Sequence, residues 1–366
     1  MVFVTGHPAG DKDFDAIDWD YLAKFDGSVV LYMAMGNLAQ IAEQFIAAGM
    51  AADTPVAVVQ NATLPSQKLA QGPLNQIDAI CKARQLAAPA IVMIGKAAQE
   101  ASPDSWFMNK PLFGKTVVIT RDKEGNERIG AMLCRQAAQV IDFPCIQLQH
   151  AISNPEFKRA VREMSDYEWV VFTSSHGVDF TFEALAKMGK DSRAFGHAKI
   201  ACIGKPTAST LLRYGIRADF VPTEYTARVM AEELSERYDL RRNNMLLLRS
   251  AIATNELSEM LRRKGAAVED LRIYTTVTVT LPEEERKALT DKIAVNQVDW
   301  VTFTSSSTVE GFFANIPIET VKQSSIKLAS IGPETTHKLE ALGLKVHLEA
   351  QPHTAEGLVE ALAQGT

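Results

Sequence analysis

Apolar runs alternate with amphipathic stretches over the first hundred residues. Buried-strand runs lie at 28–33, 54–59 and 89–94, and apolar residues recur at helical spacing over 37–48 and 74–84. Strands that alternate with helices in this way predict a sheet with helices packed against it, and therefore an α/β fold.

The pattern then changes, because the second part of the chain repeats itself. The segment EWVVFTSSHGV at 168–178 and the segment DWVTFTSSSTV at 299–309 share seven of eleven residues. Downstream of these segments, glycines, threonines and leucines of the first copy recur in the second copy 128 positions later. Each copy predicts a flavodoxin-like α/β unit with mostly parallel strands. Period-two stretches at 145–152 and 271–280 take equivalent places in the two copies, and we interpret them as long strands that cross between two lobes.

Composition limits the kinds of partner. The 366 residues are 46% hydrophobic and 22% charged, which predicts a folded, soluble, multidomain protein. Lys and Arg number 38 against 44 Asp and Glu, a net charge of −6, so neither nucleic acid nor an anionic membrane surface is an expected partner. The sequence shows no signal or transit pattern, which predicts a cytoplasmic location.

Cysteine and histidine give no indication of a metal site. The four cysteines form no CxxC pair, and the seven histidines are scattered without ligand spacing. We therefore expect no metal, and we interpret the cysteines as small buried hydrophobic residues in a reducing compartment.

Hydroxyl-rich loops follow the repeated strands and open the next helices. In doubly wound sheets, ligands bind at this edge, and backbone N–H groups at helix N-termini favour anions. For any single residue a structural N-cap is the more frequent role, but four such loops in two related lobes predict an anion-binding surface facing one cleft. The loop residues are Thr173, Ser174, Ser175, Gly204, Thr207, Thr304, Ser305, Ser306, Gly332, Thr335 and Thr336.

Two arginines and a tyrosine are further candidates. Arg121 and Arg249 stand at matched strand ends, where each is either a structural ion pair or an anion contact. Tyr274 lies in the predicted crossing strand RIYTT. A lone tyrosine in a strand more often belongs to the core than to a catalytic site.

Residues 115–366 resemble a known family in the order of their motifs. These are the KTVVITR opening, the VFTS loop, the PTEYTA segment at 222–227, the strand that carries Tyr274, and the closing IGPETT. Together with the duplication, they make this part similar to uroporphyrinogen-III synthase.

The resemblance implies a reaction. Hydroxymethylbilane loses its terminal hydroxyl to give an azafulvene, and ring closure through a spiro intermediate inverts the last ring and yields uroporphyrinogen III. No cofactor is implied for this step, and Tyr274 is the implied catalytic residue that assists departure of the hydroxyl. Residues implied to bind the substrate are Arg121, Thr173, Ser174, Ser175, Gly204, Thr207, Tyr225, Thr226, Arg249, Thr304, Ser305, Ser306, Gly332, Thr335 and Thr336.

The N-terminal part resembles the C-terminal half of uroporphyrinogen-III C-methyltransferase. It carries VTGH, LYMAMGNL, TPVAVVQNATLPSQK and PAIVMIG, but the sequence lacks the GxGPGD loop of that family's first half. The resemblance implies that Met33 and Ala62 line an S-adenosylmethionine pocket and that this domain forms a homodimer. We expect the truncated methylase portion to be inactive without its missing half.

These interpretations divide the chain. The predicted segments are a methylase portion at 1–100, a linker at 101–112, and a synthase at 113–366 with lobe one at 113–144 plus 279–366 and lobe two at 150–272. The synthase would serve heme, siroheme or cobalamin biosynthesis.

Two alternatives stay open. One is a non-catalytic two-lobed ligand-binding protein, which a secretion signal would favour. The other is a methyltransferase half-subunit that pairs with a separate N-terminal chain, which S-adenosylmethionine binding would support.

Overall fold

The computed structural model describes residues 1–6, 17–102, 105–150 and 154–365. They form two compact units, unit 1 comprising Met1–Cys145 with Thr280–Thr366 and unit 2 comprising Ile146–Val279. Within the described residues, no helix is both long enough and apolar enough to cross a bilayer.

Strands and helices alternate through most of the chain. The strands are β1 (Val2–Thr5), β2 (Val29–Tyr32), β3 (Pro55–Gln60), β4 (Lys68–Pro73), β5 (Ala90–Ile94), β6 (Thr116–Ile119), β7 (Gln139–Asp142), β8 (Ile146–His150), β9 (Trp169–Phe172), β10 (Lys199–Cys202), β11 (Asn244–Ser250), β12 (Ala267–Thr278), β13 (Trp300–Phe303), β14 (Lys327–Ser330) and β15 (Leu348–Glu349). The helices are α1 (Trp19–Ala23), α2 (Leu38–Ala47), α3 (Ile77–Ala83), α4 (Lys123–Arg135), α5 (Pro155–Arg162), α6 (Ser175–Lys187), α7 (Lys205–Arg213), α8 (Ala227–Arg237), α9 (Glu256–Arg263), α10 (Glu283–Ala294), α11 (Ser306–Asn315), α12 (Ile318–Lys322), α13 (Pro333–Ala341) and α14 (Ala355–Gln364). Short 3-10 helices lie at Met35–Asn37, Lys96–Glu100, Met164–Asp166 and Ser192–Phe195.

The N-terminal sheet has the order β1-β2-β5-β3-β4, and apart from the parallel β1–β2 pair its strands pair antiparallel. Leu31 and Val58 of the sheet pack with Phe45 of α2 and Ile77 of α3 in one buried cluster. The predicted α/β layering is confirmed. The apolar pattern did not reveal β4, because Ala70 is its single fully buried residue.

Two further sheets share one topology. The order is β15-β14-β13-β6-β7 in unit 1 and β10-β9-β11-β12-β8 in unit 2, where Ala201 and Phe220 add an isolated parallel bridge beside β10. Except for β8, these strands run parallel. The strands can be numbered by their places in the repeat: 1 for β6 and β11, 2 for β7 and β12, 3 for β13 and β9, 4 for β14 and β10, and 5 for β15 and the bridge at Phe220. With this numbering, both sheets have the flavodoxin-like order 2-1-3-4-5, as expected. Each sheet takes strands from both sequence copies, so the copies are interleaved.

Carboxylates at matched positions fix how the copies pair. Asp299, just before β13, accepts a hydrogen bond from Thr116 N at 2.8 Å, and Lys115 Nζ lies 3.4 Å away. Glu168, just before β9, accepts one from Asn244 N at 2.6 Å. A backbone donor at the start of each neighbouring strand is thereby satisfied, which sets the register of β13 on β6 and of β9 on β11.

The two period-two stretches form β8 and the second half of β12. They pair antiparallel, from Tyr274 opposite His150 to Thr278 opposite Ile146, at one edge of the unit 2 sheet. Residues 151 and 152 of the predicted strand lie outside the described residues.

The expected linker and cysteines show two further features. Of the segment 101–112, residues 103 and 104 lie outside the described residues, while Phe107 and Leu112 are buried. Cys81, Cys145 and Cys202 are buried as expected, but the prediction was wrong for Cys134, which is exposed. Cys134 lies in the last turn of α4, next to the buried Leu133 that faces the core.

We expect Asp299→Ala to destabilise unit 1 by about 1 to 2 kcal/mol, because it leaves the amide of Thr116 without its acceptor. Asp299→Asn keeps an amide oxygen at that position and should retain most of the stability. Thermal unfolding monitored by circular dichroism measures both. Equal melting temperatures for Asp299→Ala and the parent protein would show that this carboxylate does not hold the pairing.

Candidate active site

Three helices of unit 2 begin at one edge of its sheet. Ser174 follows β9 and caps α6, where its Oγ accepts a hydrogen bond from Gly177 N at 3.0 Å. Gly204 follows β10 as the N-cap of α7, and Thr226 caps α8 through a 3.2 Å bond from Val229 N. Because β9 and β10 are parallel, their carboxyl ends share this edge. The structure brings these predicted residues together within the unit.

The third sheet, in unit 1, has a matching edge. Ser305 caps α11 and accepts from Thr308 N at 3.3 Å. Gly332 is the N-cap of α13, and Thr354 caps α14 through a 3.0 Å bond from Gly357 N. Both edges therefore present helix N-termini that attract anions.

The remaining predicted hydroxyls differ in exposure. Thr207 and Thr335 are buried in the first turns of α7 and α13. Thr336 donates to the carboxylate of Glu349, and its Oγ1 lies 2.6 Å from Ser330 Oγ. Partly exposed beside the caps are Thr173, Ser175, Thr304 and Ser306.

Aromatic rings cover the two N-cap glycines. A Cβ atom at Gly204 would lie 2.8 Å from Tyr225 Cγ, and one at Gly332 would lie 3.2 Å from His353 Cγ. Tyr225 is 51% exposed. The His353 Nδ1 lies 2.8 Å from the Ala350 carbonyl oxygen, and because a carbonyl can only accept, this nitrogen carries the proton. Close contact between ring and backbone explains why glycine stands at both positions.

His353 and Thr354 were missed by the sequence reasoning. The offset of 128 relates Tyr225 to His353 and Thr226 to Thr354, and that signal was sufficient to find them.

Tyr274 lies in β12 and is 8% exposed. Its Oη donates to Ser174 Oγ at 2.8 Å. Burial raises the pKa of the Tyr274 hydroxyl, and hydrogen bonds with Ser174 and Ser250 act in the opposite direction. The phenol therefore stays protonated at neutral pH and can serve as a proton donor but not as a phenolate base.

Other rings surround this phenol. The ring centroids of Phe180 and His176 lie 5.5 Å and 6.1 Å from that of Tyr274, and His150 lies 5.5 Å from Phe180. His176 and Phe180 belong to α6, and His150 to β8. These contacts hold the Tyr274 ring against the start of α6.

The two arginines have different surroundings. Arg249 is 3% exposed, and its Nε and Nη2 lie 3.0 and 2.8 Å from the Asp270 carboxylate, with a further 2.7 Å bond to Thr254 O. Burial lowers the pKa of Arg249, and the charge of Asp270 opposes this effect. This geometry is that of the structural ion pair. Arg121 is partly exposed, with Nε 3.4 Å from Asp122 Oδ1.

The N-terminal sheet carries a separate cavity of about 600 Å³. It contains both predicted cofactor residues, Met33, which is 64% exposed, and Ala62. Met33, Asn61 and Thr63 adopt positive φ angles of 53°, 51° and 61°. Non-glycine residues in this region are costly and cluster at ligand sites. The residues that line the cavity are Tyr32, Met33, Met35, Gly36, Val59, Asn61, Ala62, Leu64, Ala88, Pro89, Ala90 and Ile91.

This lining fits part of a nucleoside-type ligand. Met35, Leu64 and Pro89 offer apolar surface to an adenine or an aliphatic chain, and Asn61 offers an amide. The volume lies within the range of about 300–1,000 Å³ typical of small-molecule sites. Across the ranges that the structure describes, no group of three or more His, Cys, Asp or Glu side chains is arranged to hold a metal ion.

Fold and site together define an α/β protein with two interleaved flavodoxin-like sheets, hydroxyl-bearing strand ends, and a preceding sheet that carries a cavity. The family model "Uroporphyrinogen-III synthase HemD" matches residues 127–360, and the model "Tetrapyrrole (Corrin/Porphyrin) Methylases" matches residues 1–78. The chain belongs to the uroporphyrinogen-III synthase family, with a methylase-like region at its N-terminus.

Three relatives agree with this division. The "Porphyrin biosynthesis protein HemD" of Ruminiclostridium josui is 28% identical, covering 99% of this chain and 70% of its own length. The uroporphyrinogen-III synthase of Synechococcus elongatus is 28% identical over 70% of this chain and 97% of its own. The S-adenosyl-L-methionine-dependent uroporphyrinogen III methyltransferase of Methanosarcina barkeri is 38% identical over 26% of this chain, which spans 37% of that relative.

We expect Arg249→Ala to destabilise unit 2 by about 3 to 5 kcal/mol, because it leaves the Asp270 carboxylate buried without its main partner. The matched control is Arg241→Ala, which breaks an exposed pair with Asp239 and should hardly change the melting temperature. Calorimetric unfolding of both variants measures the difference. A melting temperature of Arg249→Ala close to that of the control would contradict a structural role.

Proposed function

We propose that this protein acts as a uroporphyrinogen-III synthase. It cyclises hydroxymethylbilane to uroporphyrinogen III with inversion of the last ring, within tetrapyrrole biosynthesis. The observation that carries the proposal is the buried, protonated Tyr274 hydrogen-bonded to the N-cap Ser174 at the ligand-binding edge of a doubly wound sheet.

The substrate is a linear tetrapyrrole with eight carboxylates. An acidic protein of net charge −6 must hold it through local groups. The caps Ser174, Thr226 and Ser305 stand at helix N-termini, where hydroxyl and backbone N–H groups can donate hydrogen bonds to carboxylates without added cations. This supports roles for the loop residues in substrate binding.

The reaction needs one proton and a controlled chain geometry. Protonation of the terminal hydroxyl lets it leave as water, and the resulting azafulvene is attacked by the substituted carbon of the last ring. Free bilane also closes without inversion, so fixed carboxylate contacts favour one closure by holding the chain bent. The hydrogen-bonded pair of Tyr274 and Ser174 is the source of the proton, and the hydroxyl-rich loops position the substrate.

We further propose the functional division predicted from the sequence, with a methylase portion at 1–100, a linker at 101–112 and the synthase at 113–366. A cytoplasmic location and the absence of a cofactor requirement for the synthase belong to the same proposal. The family matches at 1–78 and 127–360 are compatible with it.

Freshly prepared hydroxymethylbilane should be converted mainly to the type III isomer, separated from type I by chromatography after oxidation. Tyr274→Phe should lower kcat by about 100-fold, because it removes an acid while keeping the ring. Exclusive formation of type I would refute the synthase assignment. Type III formation by Tyr274→Phe at the parent rate would remove Tyr274 from the catalytic role.

A second activity is supported by the N-terminal cavity. We propose that it is one half of an S-adenosylmethionine site, completed by a further methylase lobe, and that this domain associates as a homodimer. When bound, the cofactor would supply a methyl group for transfer to carbon. Met33, Ala62 and Asn61 would hold it, and the methylase portion alone would be inactive.

Calorimetric titration of the full chain with S-adenosylhomocysteine tests the half-site. We expect weak, saturable binding that Ala62→Trp abolishes, because the indole fills the cavity. Tyr21→Ala changes an exposed ring of α1 outside the cavity and should bind as the parent does. Binding of S-adenosylhomocysteine by Ala62→Trp with the affinity of the parent protein would count against the proposal, and so would the absence of binding by the parent and both variants.

A further inference from the structure

Ser174 stands between a helix and a buried phenol. Its Oγ accepts one hydrogen bond from Gly177 N at 3.0 Å and another from Tyr274 Oη at 2.8 Å. A serine oxygen has two lone pairs and a single hydrogen. Both lone pairs are used by these two donors, so the hydroxyl hydrogen is directed to a third group.

A third hydroxyl extends the series behind Tyr274. Ser250 ends β11 and pairs with Tyr274 in the register of β11 on β12, and its hydroxyl lowers the pKa of the phenol. The series therefore runs Ser250, Tyr274, Ser174. Tyr274 is 8% exposed, whereas Ser174 is partly exposed at the start of α6. Ser174, at the N-terminus of α6, is therefore better placed than the phenol for direct contact with a ligand.

We propose that Ser174, and not Tyr274, hands the proton to the departing hydroxyl, and that Tyr274 and Ser250 form a hydroxyl relay behind it. The inference rests on the proposed function. It changes the role of Ser174 from carboxylate binder to catalytic residue, and it makes Tyr274 and Ser250 positioning and relay residues.

The step balances in protons and electrons. The carbon–oxygen bond of the hydroxymethyl group breaks, and its electron pair leaves with the oxygen. Ser174 gives its proton to that oxygen and forms water, while Ser174 takes the proton of Tyr274 and Tyr274 takes that of Ser250. Solvent restores the proton at Ser250, and the pyrrole N–H of the cationic azafulvene returns one proton to solvent, so the net change is loss of one water molecule from the substrate. No side chain carries a net charge after the transfer, which suits a buried phenol.

A serine N-cap is present in both sequence copies, whereas the hydroxyl relay is present in one. Ser305 caps α11 in unit 1 as Ser174 caps α6 in unit 2. At the offset of 128, however, Tyr274 corresponds to Ile146 and Ser250 to Asp122, neither of which has a hydroxyl. A role in helix capping explains both serines, whereas the hydroxyl series behind Ser174 has no counterpart in the other copy.

Three substitutions at Ser174 separate the hydroxyl from the cap. Ser174→Ala removes both, Ser174→Gly removes the hydroxyl but keeps a residue that suits the N-cap, and Ser174→Thr keeps both. The control Asn154→Ala removes an unrelated cap, that of α5 in the same unit. Each variant is assayed with hydroxymethylbilane for kcat, KM and isomer ratio, and its melting temperature is measured.

We expect kcat to fall by about 10- to 100-fold in Ser174→Ala and Ser174→Gly, with KM changed less than about twofold. Ser174→Thr and Asn154→Ala should retain kcat within about threefold. The double variant Ser174→Ala/Tyr274→Phe should be no slower than the slower single variant, because relay members act as a unit.

The outcomes that would contradict the relay differ from the outcome that would contradict the proposed function. Parent-like kcat in Ser174→Gly, or additive losses in the double variant, would overturn the relay. A rise in KM with kcat unchanged would return Ser174 to carboxylate binding and also overturn it. If the parent protein itself forms no type III isomer, the synthase assignment fails, and this result is distinct from the others.

Discussion

The parallel pairing of β6 with β13 and of β9 with β11 is the constraint on which the rest of the synthase region depends. Each pair joins one sequence copy to the other, and a carboxylate at the start of a strand, Asp299 or Glu168, fixes its register. Parallel strands in register end at a common edge. In unit 2 the β9–β11 pairing places Ser174 beside the strands β11 and β12, and in unit 1 the β6–β13 pairing places Ser305 at the matching edge of its own sheet.

The same arrangement explains how an acidic chain can serve an anionic substrate. The buried Arg249, a natural candidate for a carboxylate contact, forms an ion pair with Asp270. Helix N-termini and hydroxyl groups remain, and their partial charges need no compensating carboxylates. A substrate with many carboxylates can then be held by numerous weak contacts, which suits an enzyme that controls conformation.

Much of the site was predictable because it lies on local, repeated motifs. The TSS loops at 173–175 and 304–306 predict helix N-termini from local sequence, and Ser174 and Ser305 are the N-caps of α6 and α11 in the structure. The contact between Tyr274 and Ser174 joins residues 100 positions apart, and the partner of Arg249 lies on a neighbouring strand, so neither follows from local pattern. His353 escaped notice because an imidazole replaced a phenol at the matched position.

Interleaving also has a consequence for synthesis on the ribosome. The strands of unit 2 lie within the contiguous stretch Ile146–Val279, so its sheet can close as soon as that stretch has emerged. The sheet that holds β6 and β7 needs β13, whose partner contact between Asp299 and Thr116 spans 183 positions. Until then the nascent chain carries the apolar strand β6 with one edge unpaired, a state open to wrong pairing. Slower synthesis beyond Val279 therefore lengthens the time for which this strand edge stays unpaired.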